Sequence, residues 1–272
     1  MTNKLKKIFE KGSKYNFSSV DLAYIHYGFD DSIEYDALVV APVYTPEKLI
    51  RDSSFKITRL GSLDFCEGFL VEKDGLKIAW AKSTTGGGNM LDYMLICGTL
   101  KFKKLIFVGA VGALKAEFNI GDICIPSYCV SGTLANAYLK DSLSDYIPFE
   151  KIYPDGQYTD SVIELAKENG YTVKKASVFC TDSIVMEYTH LDEIRSFDTD
   201  LIEMETSVFY DAAKLFEVPA VALLVVSDNS ATGVPLVGRS EEIQAVYDRA
   251  RKEILPDLIY KISRRDKKCS IT

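Results

Sequence analysis

The 272-residue chain has only two histidines, His26 and His190, and no C-x-x-C pair among its six cysteines. That scarcity argues against a zinc site built on the usual histidine and cysteine spacings. The cysteines lie at 66, 97, 124, 129, 180 and 269, several inside apolar runs, where the thiol behaves as a small hydrophobe. Free thiols in such places fit a reducing compartment, so a cytoplasmic location is expected. No apolar run is long enough to span a bilayer. The first residues, MTNKLKKIFEKGSKYNF, lack the apolar stretch of a signal peptide. There is no basic excess either: 39 acidic against 32 basic residues give a net charge of −7. This argues against a general nucleic-acid binder, which needs a basic face for phosphates. No motif calls for a cofactor.

What is present suffices for a core without staples, since 47% of the residues are hydrophobic. No repeat or linker stands out. One domain is expected over 1–272, with 1–20 as an N-terminal extension and 264–272 as a basic tail. That tail, RRDKKCSIT, has the outline of a prenylation box at Cys269, but Ser270 and Thr272 suit such a box poorly.

Strand and helix patterns alternate. Runs 37–42, 103–110, 121–126, 176–182 and 220–228 read as strands. Residues 65–82 read as a hairpin turning at Asp74-Gly75. Helices are expected over 87–100, over 158–170 with an N-cap at Thr159 or Asp160, over 204–216, and over 240–265 with a kink near Pro256. The expected architecture is α/β, a single domain with a mixed central sheet flanked by helices. Ligands in such folds sit beyond the carboxyl ends of strands. Attention therefore falls on 83–88, 109–113, 181–183 and 227–230. The stretch FVGAVGAL reads as an apolar strand entering a small-residue turn.

Three groups of residues there can carry chemistry. Asp228 closes an apolar strand and is followed by Asn229; it is either a partly desolvated proton donor or a turn cap. Glu203 and Glu205 flank Met204 at the start of an apolar helix, where acids are ordinarily found for dipole reasons. Thr84, Thr85, Gly86 and Gly87 offer hydroxyls and amides at a helix start, a weak signal for an anion or sugar cradle.

Taken in order, YIHYGF, ALVVAP, TTGGG, KKLIFVGAVGAL…NIGDICIP and DLIEMETSVFYDAAKLFEVPAVALLVVSDN resemble the purine nucleoside phosphorylase, uridine phosphorylase and nucleosidase superfamily. The resemblance runs from about His26 to the terminal helix. It implies cleavage of an N-glycosidic bond in a small-molecule nucleoside, with phosphate or water as acceptor. It also implies a homo-oligomer, as dimers or trimers of dimers. Carried over residue by residue, Glu205 binds the ribose hydroxyls, Met204 packs on the sugar, and Glu203 stands beside them. Asp228 protonates or hydrogen-bonds a purine N7, with Arg239 assisting at an altered spacing. His26 reaches the 5′-hydroxyl of a neighbouring subunit's substrate; from its own surroundings it reads equally as a half-buried histidine. Phe179, Ile184 and Asn229 complete the base side. The Ser227-Asp228 pair indicates the purine-type branch, because CTDSIVMEYTH lacks the glutamine and arginine of the uridine branch.

The phosphate site departs from the pattern. Pro42 and Pro46 fall at a glycine and an arginine, Phe107 at a second arginine, and Ala110 at a hydroxyl residue. Arginine holds phosphate by a charged bidentate fork. Several such losses disfavour ordinary phosphorolysis, unless Thr84, Thr85, the amides of Gly86 to Gly88, Lys82 or Lys48 compensate; Arg59 is the candidate for the third arginine, which the family takes from a partner subunit. For hydrolysis the branch uses a glutamate near the first strand, and Glu47 is the candidate, one residue out of register. The rival reading is a nucleoside-binding protein of this fold without catalysis.

Overall fold

A computed structural model describes residues 1–15, 22–63 and 65–265. Cys269 and the rest of the basic tail after Arg265 lie outside the described residues. The strands are β1 (Glu34–Tyr35), β2 (Ala37–Pro42), β3 (Lys56–Leu63), β4 (Cys66–Lys73), β5 (Leu76–Ser83), β6 (Lys101–Phe102), β7 (Leu105–Ala113), β8 (Ile123–Ser131), β9 (Lys151–Ile152), β10 (Val173–Cys180), β11 (Leu201–Glu203) and β12 (Ala220–Asn229). The helices are α1 (Asn3–Ser13), α2 (Leu22–Tyr27), α3 (Pro46–Leu49), α4 (Gly87–Ile96), α5 (Gly156–Glu168), α6 (Leu191–Ser196), α7 (Thr206–Ala213), α8 (Glu241–Arg249) and α9 (Leu255–Arg264).

The central sheet is mixed and ordered β11-β10-β8-β12-β7-β2-β5-β4-β3. The mixed α/β architecture expected from the pattern is therefore present. Strand β7 shows why these runs are apolar throughout. Leu105 and Phe107 enter one core layer, with Met90, Met94 and Phe209. Ile106 and Val108 enter the opposite layer, with Trp80, Leu258 and Ile262. Both faces are covered, so alternation disappears. One further pairing, β7 with β11, runs antiparallel through Ala113↔Leu201 and Gly112↔Ile202. It closes β7, β12, β8, β10 and β11 into a ring.

Several expectations shift. The Gly109–Gly112 stretch is not a turn, because β7 continues to Ala113. Strand β8 begins two residues late and runs on to Ser131. Helix α5 is capped by Asp155, whose carboxylate accepts from the amides of Gln157 and Tyr158, rather than by Thr159 or Asp160. The terminal helix breaks as a π-helical turn over Ala250–Ile254, and Pro256 then sits in the first turn of α9, where no amide donor is needed. The N-terminal extension contributes α1, which buries Leu5 and ties Thr2 Oγ1 to the Leu215 carbonyl at 2.6 Å. Among the described residues no helix is long and apolar enough to cross a membrane.

The hairpin β4–β5 forms as expected, with Asp74 and Gly75 at φ 50° and 84°. On its far side α2 lies directly against β4. A Cβ at Gly68 would fall 1.9 Å from the Tyr27 carbonyl oxygen. Gly68→Ala is therefore expected to displace α2 and destabilise the protein by about 3 kcal/mol or more. Gly88→Ala, on open helix surface, should be neutral or stabilising by up to ~1 kcal/mol. Urea unfolding of both variants checks the contrast.

Candidate active site

One cavity of about 190 Å³ opens at the ends of β2, β7, β10, β11 and β12. The parallel strands β2, β7 and β12 direct their carboxyl ends to this edge, and the antiparallel β11–β7 pairing that closes the ring brings the ends of β11 and β10 to meet them. It gathers Thr85, Ala110, Ile184, Glu203, Met204, Glu205 and Asp228 from the expected set.

Glu203 ends β11, and its carboxylate turns back over the first turn of α7. It accepts from the amide of Glu205 at 2.7 Å and from that of Thr206 at 2.9 Å. The Cys180 thiol donates to its other oxygen at 2.8 Å. It is thus an acidic cap, satisfying amides that a helix start leaves without partners. Burial pushes the Glu203 carboxyl well above the usual range, with the neighbouring Cys180 and Glu205 adding to the effect. Glu205 reaches across to α4, where its Oε1 accepts from the Gly86 amide at 2.5 Å. Burial raises its pKa too, opposed by that amide. The Gly86 amide, expected to face a ligand anion, thus already has a carboxylate partner.

Asp228 owes its position to a β-bulge. Register along β12 and β7 runs Val226↔Val111 and then Asp228↔Gly112, which leaves Ser227 as the extra residue. A bulge re-aims the side chains that follow it. The carboxylate comes to rest over Gly112, where any Cβ would meet Asp228 Oδ2 at 2.9 Å. Ser227 Oγ donates to Asp228 Oδ1 at 2.6 Å. Burial raises the Asp228 pKa, while the Ser227 hydroxyl and the Arg239 charge oppose the rise. Arg239 itself donates to the Ser227 carbonyl and to Gln244 Oε1, and stacks on Tyr247 with 4.6 Å to the ring centre. It acts on Asp228 through space and through the bulge.

Other expected residues lie apart from the cavity lining. Glu47 is exposed on α3. Asn229 is buried and fully engaged: its amide donates to the Lys115 and Phe118 carbonyls, and its oxygen accepts from the amides of Ala231 and Thr232. It shapes the turn after β12. Phe179 lines a neighbouring cavity with Phe149 and Phe197. Gly87 packs on Thr133 and Val208. His26 is half-buried at the end of α2, its Nδ1 buried with no partner among the described residues. Phe107, at the position the resemblance gives to an arginine, is buried against Phe209 at 5.5 Å between ring centres. Lys82 and Arg59 both pair with Glu67, at 3.1 and 2.8 Å. Among the described residues, neither lysine nor arginine lines the cavity.

Sequence reasoning missed Val43, Tyr44, Tyr188 and Glu187, which also line it. Val43 adopts φ 69°, a conformation that strains a β-branched residue. Burial and the facing Asp228 push the Glu187 carboxyl up to about 7.

Comparison with known proteins places this geometry. The profile of the phosphorylase superfamily matches residues 68–255, well over half of the chain. The chain belongs to the phosphorylase superfamily. Two relatives within it are DeoD-type purine nucleoside phosphorylases. That of Brevibacillus brevis is 30% identical over 135 residues, covering 48% of this chain and 54% of its own. That of Exiguobacterium sibiricum is 27% identical over 158 residues, covering 58% and 64%. The chain thus spans about half the length of the first relatives it matches. The crystal structure of Campylobacter jejuni 5′-methylthioadenosine/S-adenosyl homocysteine nucleosidase superposes with a TM-score of 0.63 at 18% identity, over 83% of this chain and 97% of that one. At that identity the likeness concerns the fold. Family model and superposition together give this chain the fold of that superfamily.

Glu203→Ala should leave the amides of Glu205 and Thr206 and the Cys180 thiol without an acceptor. An expected loss of about 2–4 kcal/mol in unfolding free energy follows, measurable by chemical denaturation.

Proposed function

We propose that this protein cleaves the N-ribosyl bond of a purine-type nucleoside, with water as the acceptor in preference to phosphate. The observation that carries the reading is a single cavity holding Glu205, Met204 and Asp228 with no cation in its described lining. The C1′–N bond breaks with its electron pair leaving on the protonated base, and an oxocarbenium-like ribosyl group remains; water adds to C1′ and releases a proton to solvent, from which Asp228 is reprotonated. Glu205 beside the ribosyl group supplies negative charge and accepts hydrogen bonds from the ribose diol. Met204 and Ile184 give apolar contact to sugar and base. Asp228, its pKa raised by burial, holds a proton to higher pH than an ordinary aspartate and delivers it to the purine N7. Arg239 keeps that proton available, because its charge limits the rise.

The preference for water rests on the donors. Phosphate binding relies on charged forks, each charged hydrogen bond being worth about 1.5–3 kcal/mol. With Phe107 in the core and the Gly86 amide bound to Glu205, the acceptor side offers little to a dianion. Glu47, outside the lining, has no part in this reading. His26 fits the reading as a residue offered to a second copy's site in a homo-oligomer.

The test is release of free base from adenosine, inosine and methylthioadenosine, with and without phosphate. Base released equally in both is the expected result. Release only with phosphate overturns the choice of acceptor; tight binding with no release makes the protein a binder.

Asp228→Asn should lower kcat by about a hundredfold while changing nucleoside affinity little. Wild-type kcat should fall on the alkaline side as Asp228 loses its proton, above the ordinary aspartate range, and the variant should lack that limb. A pH profile of kcat for both proteins checks the sign.

A further inference from the structure

Glu187 is the one carboxylate of the cavity that neither the superfamily's reaction nor the helix caps account for. It stands in the short 3₁₀ segment Met186–His190 that follows β10, anchored by its amide to the Ser183 carbonyl at 3.1 Å. It lines the active cavity with Asp228 and also borders the adjoining aromatic cavity of Phe149, Phe179 and Phe197. A half-buried carboxyl on the base side of a nucleoside site is a directional reader of base edges.

Resting on the purine reading above, we infer that Glu187 selects the 6-substituent of the base: as a carboxylate it accepts from a 6-amino group, and as a carboxylic acid it donates to a 6-oxo group. The chemistry follows from the base edge. A 6-aminopurine presents the N7 acceptor beside an N–H donor, whereas a 6-oxopurine presents two acceptors. Asp228 donating to N7 is common to both. The neighbouring position needs an acceptor in the first case and a donor in the second. A carboxylate before a 6-oxo group leaves two acceptors facing in a half-buried site, which is strongly unfavourable, whereas the carboxylic acid still keeps one acceptor oxygen for a 6-amino group.

Selection therefore turns with pH. Burial first, and then the facing Asp228, raise the Glu187 carboxyl to about 7. A raised carboxyl is protonated below that pH and ionised above it. The groups that face it across the active cavity are Asp228, Glu203, Glu205, Tyr44 and Tyr188. On its other side stand Asp182, Glu193 and His190, with His190 Nδ1 paired to Glu193 at 3.5 Å. Arg239 lies beyond Asp228, engaged with Ser227 and Gln244. The surroundings are thus chiefly acidic, which keeps the carboxyl protonated to higher pH.

The experiment is calorimetric binding of free adenine and hypoxanthine at about pH 6 and about pH 8, for wild type and Glu187→Gln, with adenosine and inosine cleavage in parallel. In wild type the preference for adenine over hypoxanthine should rise roughly tenfold between the two pH values, and in Glu187→Gln it should stay constant. The amide of glutamine keeps the size and cannot titrate, so folding is preserved and only the switch is removed. If bases bind and nucleosides are cleaved but the wild-type preference ignores pH, or the variant keeps the same pH dependence, the role of Glu187 is overturned while the functional reading survives. If neither base binds and neither nucleoside is cleaved, the functional reading fails and the inference falls with it.

Discussion

The buried carboxylate of Glu203 is the interaction on which the site depends. It holds the amides of Glu205 and Thr206 and the thiol of Cys180, and so joins β11, α7 and β10 at one point. A helix start of this kind would otherwise present open donors to the cavity. Because Glu203 fills them, α7 begins abruptly, and the next acidic side chain is thrown across to the start of α4. Two adjacent helix N-termini thus receive one carboxylate each, both from the same three-residue stretch. That arrangement occupies both helix starts and leaves a cavity with the carboxyl groups of Glu187, Glu203, Glu205 and Asp228 and no lysine or arginine in its described lining.

Closure of the sheet supplies the second half of the geometry. Strand β7 pairs with β2 only through Phe107, then takes β11 as its neighbour at Gly112 and Ala113. The switch requires the strand to continue where a turn was expected. It also brings Glu203 and Asp228 to the same rim. At that rim the extra residue of β12, Ser227, turns Asp228 inward, and the missing side chain of Gly112 leaves space for it. The small residues of FVGAVGAL thus serve packing and closure.

Much of this was legible in the residues. The apolar runs marked the strands, and Asp74-Gly75 marked its hairpin, because both signals are local. Each of the four segments singled out near strand ends sends a residue to one cavity: Thr85, Gly109 to Gly112, Thr181 and Asp228. The misreadings were those that tertiary contact decides. Asn229 looks like a ligand-facing amide in sequence, but the turn after β12 uses both ends of it. Phe179 lies one strand position from Cys180 and faces the other cavity. Glu187 sits in SIVMEYTH without any motif, and only the path of the segment after β10 brings it opposite Asp228. The bulge at Ser227 has no signature, because an inserted residue is visible only against its partner strand.

The acceptor side of the cavity is poor in donors for a structural reason that goes beyond the missing arginines. Pro42 has no amide to offer, and the Val43 amide is bonded to the Ser83 carbonyl at 2.9 Å. The Gly86 amide is held by Glu205, and Lys82 is drawn to Glu67 and the Phe65 carbonyl. Restoring one arginine at position 107 would not rebuild a phosphate site, since its guanidinium would enter a core occupied by Phe209 and would meet acceptor carboxylates only at the rim. A dianion brought to that rim would meet Glu205 with no lysine or arginine in the described lining to offset it. A neutral water faces no such opposition and can donate to the Glu205 carboxylate. In the reaction proposed, the same acidic lining that favours a cationic ribosyl group therefore favours a neutral partner for it.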